Sequence, residues 1–160
     1  MKILAVDQSI TCSGYAVFKN KNVVDSGIIT NIYGAEELTE KRIHYMTKEI
    51  MDLFYDEDCQ AMFYENVYSG INRSTLIKLA MLLGSISYKC EERRILYDIL
   101  APGTWKKYIG VSGIRKVQKK KTIEKVKEIY GIQEVTEDEA DAIGIGHYVV
   151  NNINIKNLEE

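Results

Sequence analysis

The 160-residue sequence holds one proline, one tryptophan, two histidines and three cysteines. Cys12, Cys59 and Cys90 are odd in number, widely spaced and without a CxxC pair. That excludes a cysteine-based zinc motif and a disulfide framework, and it suits a reducing cytoplasm. Long apolar runs are also missing. The first one stops after four residues at Asp7, so no signal peptide is expected, and no segment approaches the length of a membrane span. Repeats, low-complexity tracts and linkers are absent as well. The chain is long enough for one buried core, and it reads as a single domain over 1–160.

Net charge is also slight, at −2, which by itself argues against a nucleic-acid binder. The average conceals an asymmetry. Between Trp105 and Lys127 stand nine basic residues and one acid, Glu124, a local charge of +8 that leaves −10 on the remainder. The ordinary account of such a run is a solvated helix face. Here acids rarely interrupt it, and a basic block on an acidic body is the footprint of a polyanion site.

The chain is organised around its opening stretch, Lys2 to Phe18. Ile3 to Val6 form a continuous apolar run of the kind a strand buried on both faces requires, and Asp7 ends it abruptly. A carboxylate at the carboxyl end of a central strand stands where open α/β sheets place their chemistry. The alternative is that Asp7 merely forms the turn. Gly14 to Phe18 read as a returning strand and Val23 to Thr30 as a third, completing an antiparallel meander. Leu38, Ile43, Met46, Ile50, Leu53 and Phe54 recur at helical spacing and predict a helix from about Glu36 to Tyr55. Gln60 to Glu65 repeat the opening pattern, an apolar run ending in an acid. The intervening helix is long enough for a crossover, so this fourth strand is expected beside and parallel to the first.

After a loop over Ser69 to Asn72, a helix from Arg73 to Glu91 is apolar on almost every side. One sheet cannot cover it, which implies a second chain against it, and Leu82 is a candidate outward-facing position. Ile95 to Leu100 predict a fifth strand stopped by Pro102. Gly103 to Tyr108 suit a short helix. A loop with Gly110 and Gly113 precedes a basic helix from Arg115 to Tyr130, whose apolar side carries Val117, Ile123, Val126 and Ile129. The last helix starts at Thr136 with a capping box, Thr136 to Glu139, which explains acids in its first turn. Asp141 lies one turn further in and escapes that explanation. It shares a helix face with Asp138.

Four acids therefore stand out: Asp7, Glu65, Asp138 and Asp141. Two neighbouring strands that both end in an acid place like charges side by side, which a cation resolves. No histidine or cysteine adjoins them, so the set suits Mg²⁺ or Mn²⁺. Four carboxylates can hold two such ions for in-line phosphoryl transfer, with the lysine-rich segment bringing in the polyanion. These features together describe a nuclease.

At this point the sequence resembles the RuvC-type Holliday junction resolvases, in particular compact phage members of the RNase H-like superfamily. The resemblance rests on the Asp7-to-Tyr15 stretch, on Glu65-Asn66-Val67-Tyr68, on Ala101-Pro102, on the lysine-rich loop and helix, and on Asp138 to Asp141. It implies an α/β RNase H-like fold. The sheet would be mixed and five-stranded, with the first three strands antiparallel and the fourth and fifth parallel to the first, flanked by helices. It also implies a homodimer that makes paired Mg²⁺-dependent nicks in four-way DNA junctions; the all-round apolar helix over 73–91 is the expected joint, and the cysteine usage suits the cytoplasm. Two ions per site are implied, with Mn²⁺ a substitute for Mg²⁺. Asp7, Glu65, Asp138 and Asp141 match the catalytic, metal-holding acids. Tyr68 matches an aromatic that works on bases near the crossover, and Lys106 matches a basic residue beside the site. A second lysine falls within Lys119, Lys120 and Lys121, and the match among the three is open. Arg73, Arg115 and Lys116 complete the expected DNA contacts.

Other residues take plainer readings. His44 and His147 are expected at the surface or in helix packing, Cys12 small and half-buried, and Trp105 in packing, with stacking on nucleic acid as its alternative. Three rival functions remain at this level: an RNase H-like nuclease on flaps or RNA–DNA hybrids, a junction-binding protein without catalysis, and an actin or sugar-kinase-like ATPase. The Asp7-to-Tyr15 loop resembles the first phosphate loop of the ATPase superfamily, which needs a second such domain for which this chain is too short.

Overall fold

The computed structural model describes residues 1–67, 70 and 72–155. Its strands are β1 (Lys2–Asp7), β2 (Cys12–Lys19), β3 (Asn22–Thr30), β4 (Ala61–Glu65) and β5 (Leu96–Leu100). They form one mixed sheet in the order β3-β2-β1-β4-β5, with β1, β2 and β3 antiparallel in sequence and β1, β4 and β5 parallel. This is the expected fold class. The helices are α1 (Thr39–Asp56), α2 (Arg73–Arg93), α3 (Pro102–Tyr108), α4 (Arg115–Tyr130) and α5 (Glu137–Asn152). No helix among the described residues is long and apolar enough to cross a membrane.

Strand alternation divides the core into two layers. Leu4 and Val6 of β1, with Met62 and Tyr64 of β4, face α1 and α2 in a cluster with Met46, Ile50, Leu82 and Ile86. Ile3 and Ala5, with Ala61 and Phe63, face the opposite way in a cluster with Trp105, Val126, Ala142, Ile143 and Ile145. The central strands are thus covered on both sides, which is why they read as unbroken apolar runs rather than as alternation. The same parity carries to the strand ends. Val6 pairs with Tyr64, so Asp7 and Glu65 are the next residues on adjacent parallel strands. Both share the parity of Ala5 and Phe63 and so project toward α5.

Three sequence expectations about helix faces are corrected. Leu82 is fully buried against the sheet, not outward-facing; the exposed large apolar residues of α2 are Ile77, Met81 and Tyr88. The reason is that only one stripe of α2 (Leu82, Ile86, Cys90) meets the sheet layer. Leu38 stands at the N-cap of α1 and is exposed rather than part of its apolar stripe. In α4 the buried residues are Thr122 and Val126, while Val117 and Ile129 remain exposed, because α4 rests on the core by a narrow strip. The expected loop positions Ser69 and Ile71, with Tyr68, lie outside the described residues.

Candidate active site

Three elements deliver the acids to one place. β1 and β4 present Asp7 and Glu65 as above. α5 presents Asp138 and Asp141 from its first two turns, and its start is pinned to the sheet at several points. The capping box predicted from sequence is present, with the Thr136 side chain accepting from Glu139 N and the Glu139 carboxylate accepting from Thr136 N. Glu139 also accepts from Ser26 Oγ of β3 at 2.7 Å. Gly14, which pairs with Asp7 across β1 and β2, lets α5 descend onto the sheet: a Cβ there would lie 1.8 Å from the Asp138 carbonyl oxygen. A side chain at position 14 would therefore push away the helix that carries half of the acids.

Their proximity is written in their electrostatics. Asp7 is half-buried, and its carboxyl is held well above the usual carboxylate range, first by burial and then by repulsion from Asp141, Glu65 and Asp138, with Lys106 opposing. Asp141 is pushed up to about 6, chiefly by burial; Glu65 and Asp138 add to that, while Lys106 and Lys119 counter it. The alternative role for Asp7 as turn-former loses support. The turn is closed by Ser13, whose hydroxyl donates to Ser9 O at 2.8 Å and accepts from Ser9 N at 2.9 Å. Clustered acids at the carboxyl ends of two parallel strands are costly unless something positive joins them.

The basic residues fall into distinct places. Lys106 stands 4.0 Å from Glu65 Oε1. Lys119 is half-buried, pairs with Glu137 at the start of α5 and lies within electrostatic reach of Asp141. Lys120 and Lys121 are exposed, with Lys120 3.9 Å from Glu124. Of the three lysines, Lys119 is the one that acts electrostatically on Asp141. Arg115 and Lys116 are exposed at the start of α4. Arg73 lies apart from the acids, in a groove between α1 and α2 with Thr39, Ile77, Lys78 and Met81. Tyr68 lies outside the described residues.

Two contributors were not read from the sequence. Gln8 clamps the two strand ends together, its side-chain amide donating to Glu65 O and accepting from Glu65 N at 3.2 Å. Trp105 is fully buried, so the stacking alternative is overturned, and its indole Nε1 donates to Glu65 Oε1 at 2.7 Å. Their signals were position only: Gln8 follows Asp7, and Trp105 precedes Lys106. The histidines take the plain reading. His44 is exposed, and His147 Nδ1 stands 2.6 Å from Tyr130 OH.

A family model described as "Crossover junction endodeoxyribonuclease RuvC" matches residues 3–147. The chain belongs to the RuvC family. Among curated relatives, the RuvC of Campylobacter curvus is 28% identical, covering 96% of this chain and 98% of that protein. The RuvC of Fusobacterium nucleatum is 26% identical, over 98% of this chain and 83% of its own length. Among solved structures, the T. thermophilus RuvC in complex with a Holliday junction substrate superposes with a TM-score of 0.76 at 15% identity, covering 95% of this chain and 97% of that one. A fowlpox virus resolvase bound to Holliday junction DNA gives 0.55 at 13% identity, over 99% and 97%. At these identities the structural likeness is one of fold.

The acids suit a divalent metal by donor type, since all four are hard oxygen ligands and their mutual repulsion is what a cation relieves. As the side chains stand, no group of three or more His, Cys, Asp or Glu among the described residues is arranged to hold an ion. Glu65 is engaged instead by Trp105 and Lys106.

Proposed function

We propose that this RuvC-family chain is a metal-dependent, structure-selective endodeoxyribonuclease that resolves four-way DNA junctions by paired nicks. The observation that carries the reading is the convergence of Asp7, Glu65, Asp138 and Asp141 at one end of the sheet, with Lys106 and Lys119 beside them. The names of the relatives support it. We read residues 1–160 as one nuclease domain acting in the cytoplasm, as a homodimer through α2.

Asp7, Glu65, Asp138 and Asp141 would hold the metal, Mg²⁺ or Mn²⁺ in two copies. When bound, it supplies an activated water and neutralises charge on the leaving oxygen. The chain's own residues do the remainder. Asp7 and Asp141 must give up protons before they can serve as ligands, so the site is closed to cations at low pH. Lys106 and Lys119 compensate the acids and stand ready for the phosphate charge that develops during cleavage. Arg115, Lys116, Lys120 and Lys121 extend outward as phosphate contacts that give affinity without sequence readout.

The deciding experiment incubates the protein with Mg²⁺ on four-way, three-way, flap, RNA–DNA hybrid and linear duplex substrates. Symmetric nicks in the four-way junction, abolished on removal of Mg²⁺ by chelation, are expected. Preferential cutting of the hybrid or the flap would replace the junction by that substrate. No cleavage of any of them would leave a binding protein, and nucleotide hydrolysis indifferent to DNA would turn the reading to the ATPase.

A further inference from the structure

Trp105 occupies an odd position for a core residue. It is the only tryptophan in the chain, it is fully buried on α3, and its single polar atom is spent on a carboxylate of the acid cluster. The ring is seated against α5 at Gly144, where a Cβ would lie 2.4 Å from the indole Cζ3. The helix that carries Asp138 and Asp141 therefore also fixes the indole plane. The indole N–H, which has one direction only, fixes Glu65 Oε1. On the other side, Lys106 Nζ lies 4.9 Å from the ring centroid and 4.0 Å from the same carboxylate oxygen.

We infer that Trp105 is a positioning residue for Glu65: its N–H holds Oε1 and so fixes the carboxylate relative to α5, leaving Oε2 for a metal ion. The inference rests on the reading of Glu65 as a metal ligand. A glutamate has three rotatable side-chain bonds, and a ligand held by an outer hydrogen bond binds more tightly than one that must be ordered by the ion itself. Packing alone would be served by any large apolar side chain. It gives no reason for a donor aimed at a carboxylate that Lys106 already approaches.

The test uses Trp105→Phe, which keeps an aromatic ring in the Gly144 recess and removes the donor, beside Glu65→Gln. Mn²⁺ binding is measured by calorimetry without DNA, and junction affinity and cleavage are measured separately. Trp105→Phe is expected to weaken Mn²⁺ binding by about 10- to 100-fold. Junction affinity should be unchanged, and part of the cleavage deficit should be recovered at high Mn²⁺. Wild-type Mn²⁺ affinity in Trp105→Phe, with affinity abolished in Glu65→Gln, would show that the indole only packs. Wild-type affinity in Glu65→Gln as well would overturn the ligand reading and this inference with it. Because the unmodified protein has a single tryptophan, its emission provides a check that does not depend on the folding of Trp105→Phe. Mg²⁺ should change that emission in the wild type and not in Glu65→Gln, and an emission indifferent to Mg²⁺ at concentrations that support cleavage would refute the inference.

Discussion

Asp7 and Asp141 hold their protons unusually far up the pH scale, and the direction of that shift gives stability and function opposite signs. A carboxyl whose pKa is higher in the folded than in the unfolded chain is worth most to the fold at low pH. That contribution disappears as pH rises from the ordinary value, 3.8, through the folded one, about 6 for Asp141 and well above 3.8 for Asp7. Ionising Asp7 is therefore a cost to the metal-free protein. Asp7→Asn is expected to raise the melting temperature at pH 7 by a few degrees, since about 1 kcal/mol moves a chain of this size by ~2–4 °C. The gain should be smaller at pH 5, because a lower pH favours the protonated form of Asp7 that burial and the neighbouring acids already favour. Thermal melts at the two pH values check this, and a variant melting below the wild type at both would show that Asp7 supports the fold. The same variant should lose several orders of magnitude in cleavage while still binding junctions. A folded Asp7→Asn protein that cuts at the wild-type rate would remove Asp7 from the site. For the wild type, Mg²⁺-dependent cleavage should rise with pH through about 6, because the ion must displace the proton that burial has stabilised on Asp141.

At the scale of elements, the close approach of α5 to β2 is the most exacting junction in the fold. Gly14→Ala places a methyl group 1.8 Å from the Asp138 carbonyl, so α5 must move. A loss of stability of about 1–3 kcal/mol or more is expected, by overpacking. Cleavage should also fall at temperatures well below the melt, which distinguishes displacement of the acids from simple unfolding. Within α4, Lys119 and its neighbours separate. Replacing Lys120 and Lys121 by alanine should weaken binding to any DNA and flatten its salt dependence, by roughly 0.9 log unit per log unit of salt for each phosphate no longer neutralised. Replacing Lys119, which acts electrostatically on Asp141, should cost turnover more than affinity. An unchanged salt slope in the first variant would return those lysines to a solvated face. Much of this layout could be read from the chain. The runs Ile3–Val6 and Ala61–Tyr64 are legible because burial on both faces demands them, and the capping box located α5 because the cap is local chemistry. The connections made by Gln8, Ser26 and Trp105 were not legible, because each joins elements 40 or more residues apart through a single side chain. The inward turn of Leu82 was hidden for a related reason: a helix apolar on most sides gives no phase.

The whole molecule raises a question of symmetry. The proposed paired nicking of a four-way junction would need two copies related by a twofold axis, because one chain carries one acid cluster. We propose α2 as the surface that joins them. Ile77, Met81 and Tyr88 are exposed to 49%, 40% and 64%, and Ile77 and Met81 line the groove that also holds Arg73 and Lys78. The inward stripe of the same helix, Leu82, Ile86 and Cys90, is spent on the core. That division gives two substitutions one residue apart with opposite expected consequences. Met81→Glu puts a charge on the exposed face. It should leave the fold intact, give a monomer by light scattering at micromolar concentration, and convert paired nicks into single ones. Leu82→Glu puts the charge into the sheet-facing layer, where an unpaired carboxylate has no partner, and should unfold the chain instead. A wild-type protein that is monomeric at that concentration, or a Met81→Glu variant that remains a dimer, would exclude this face of α2 as the joint. If the monomer forms and still nicks one strand, each acid cluster is complete within its own chain. What the second copy contributes is then the simultaneous reach to the other strand.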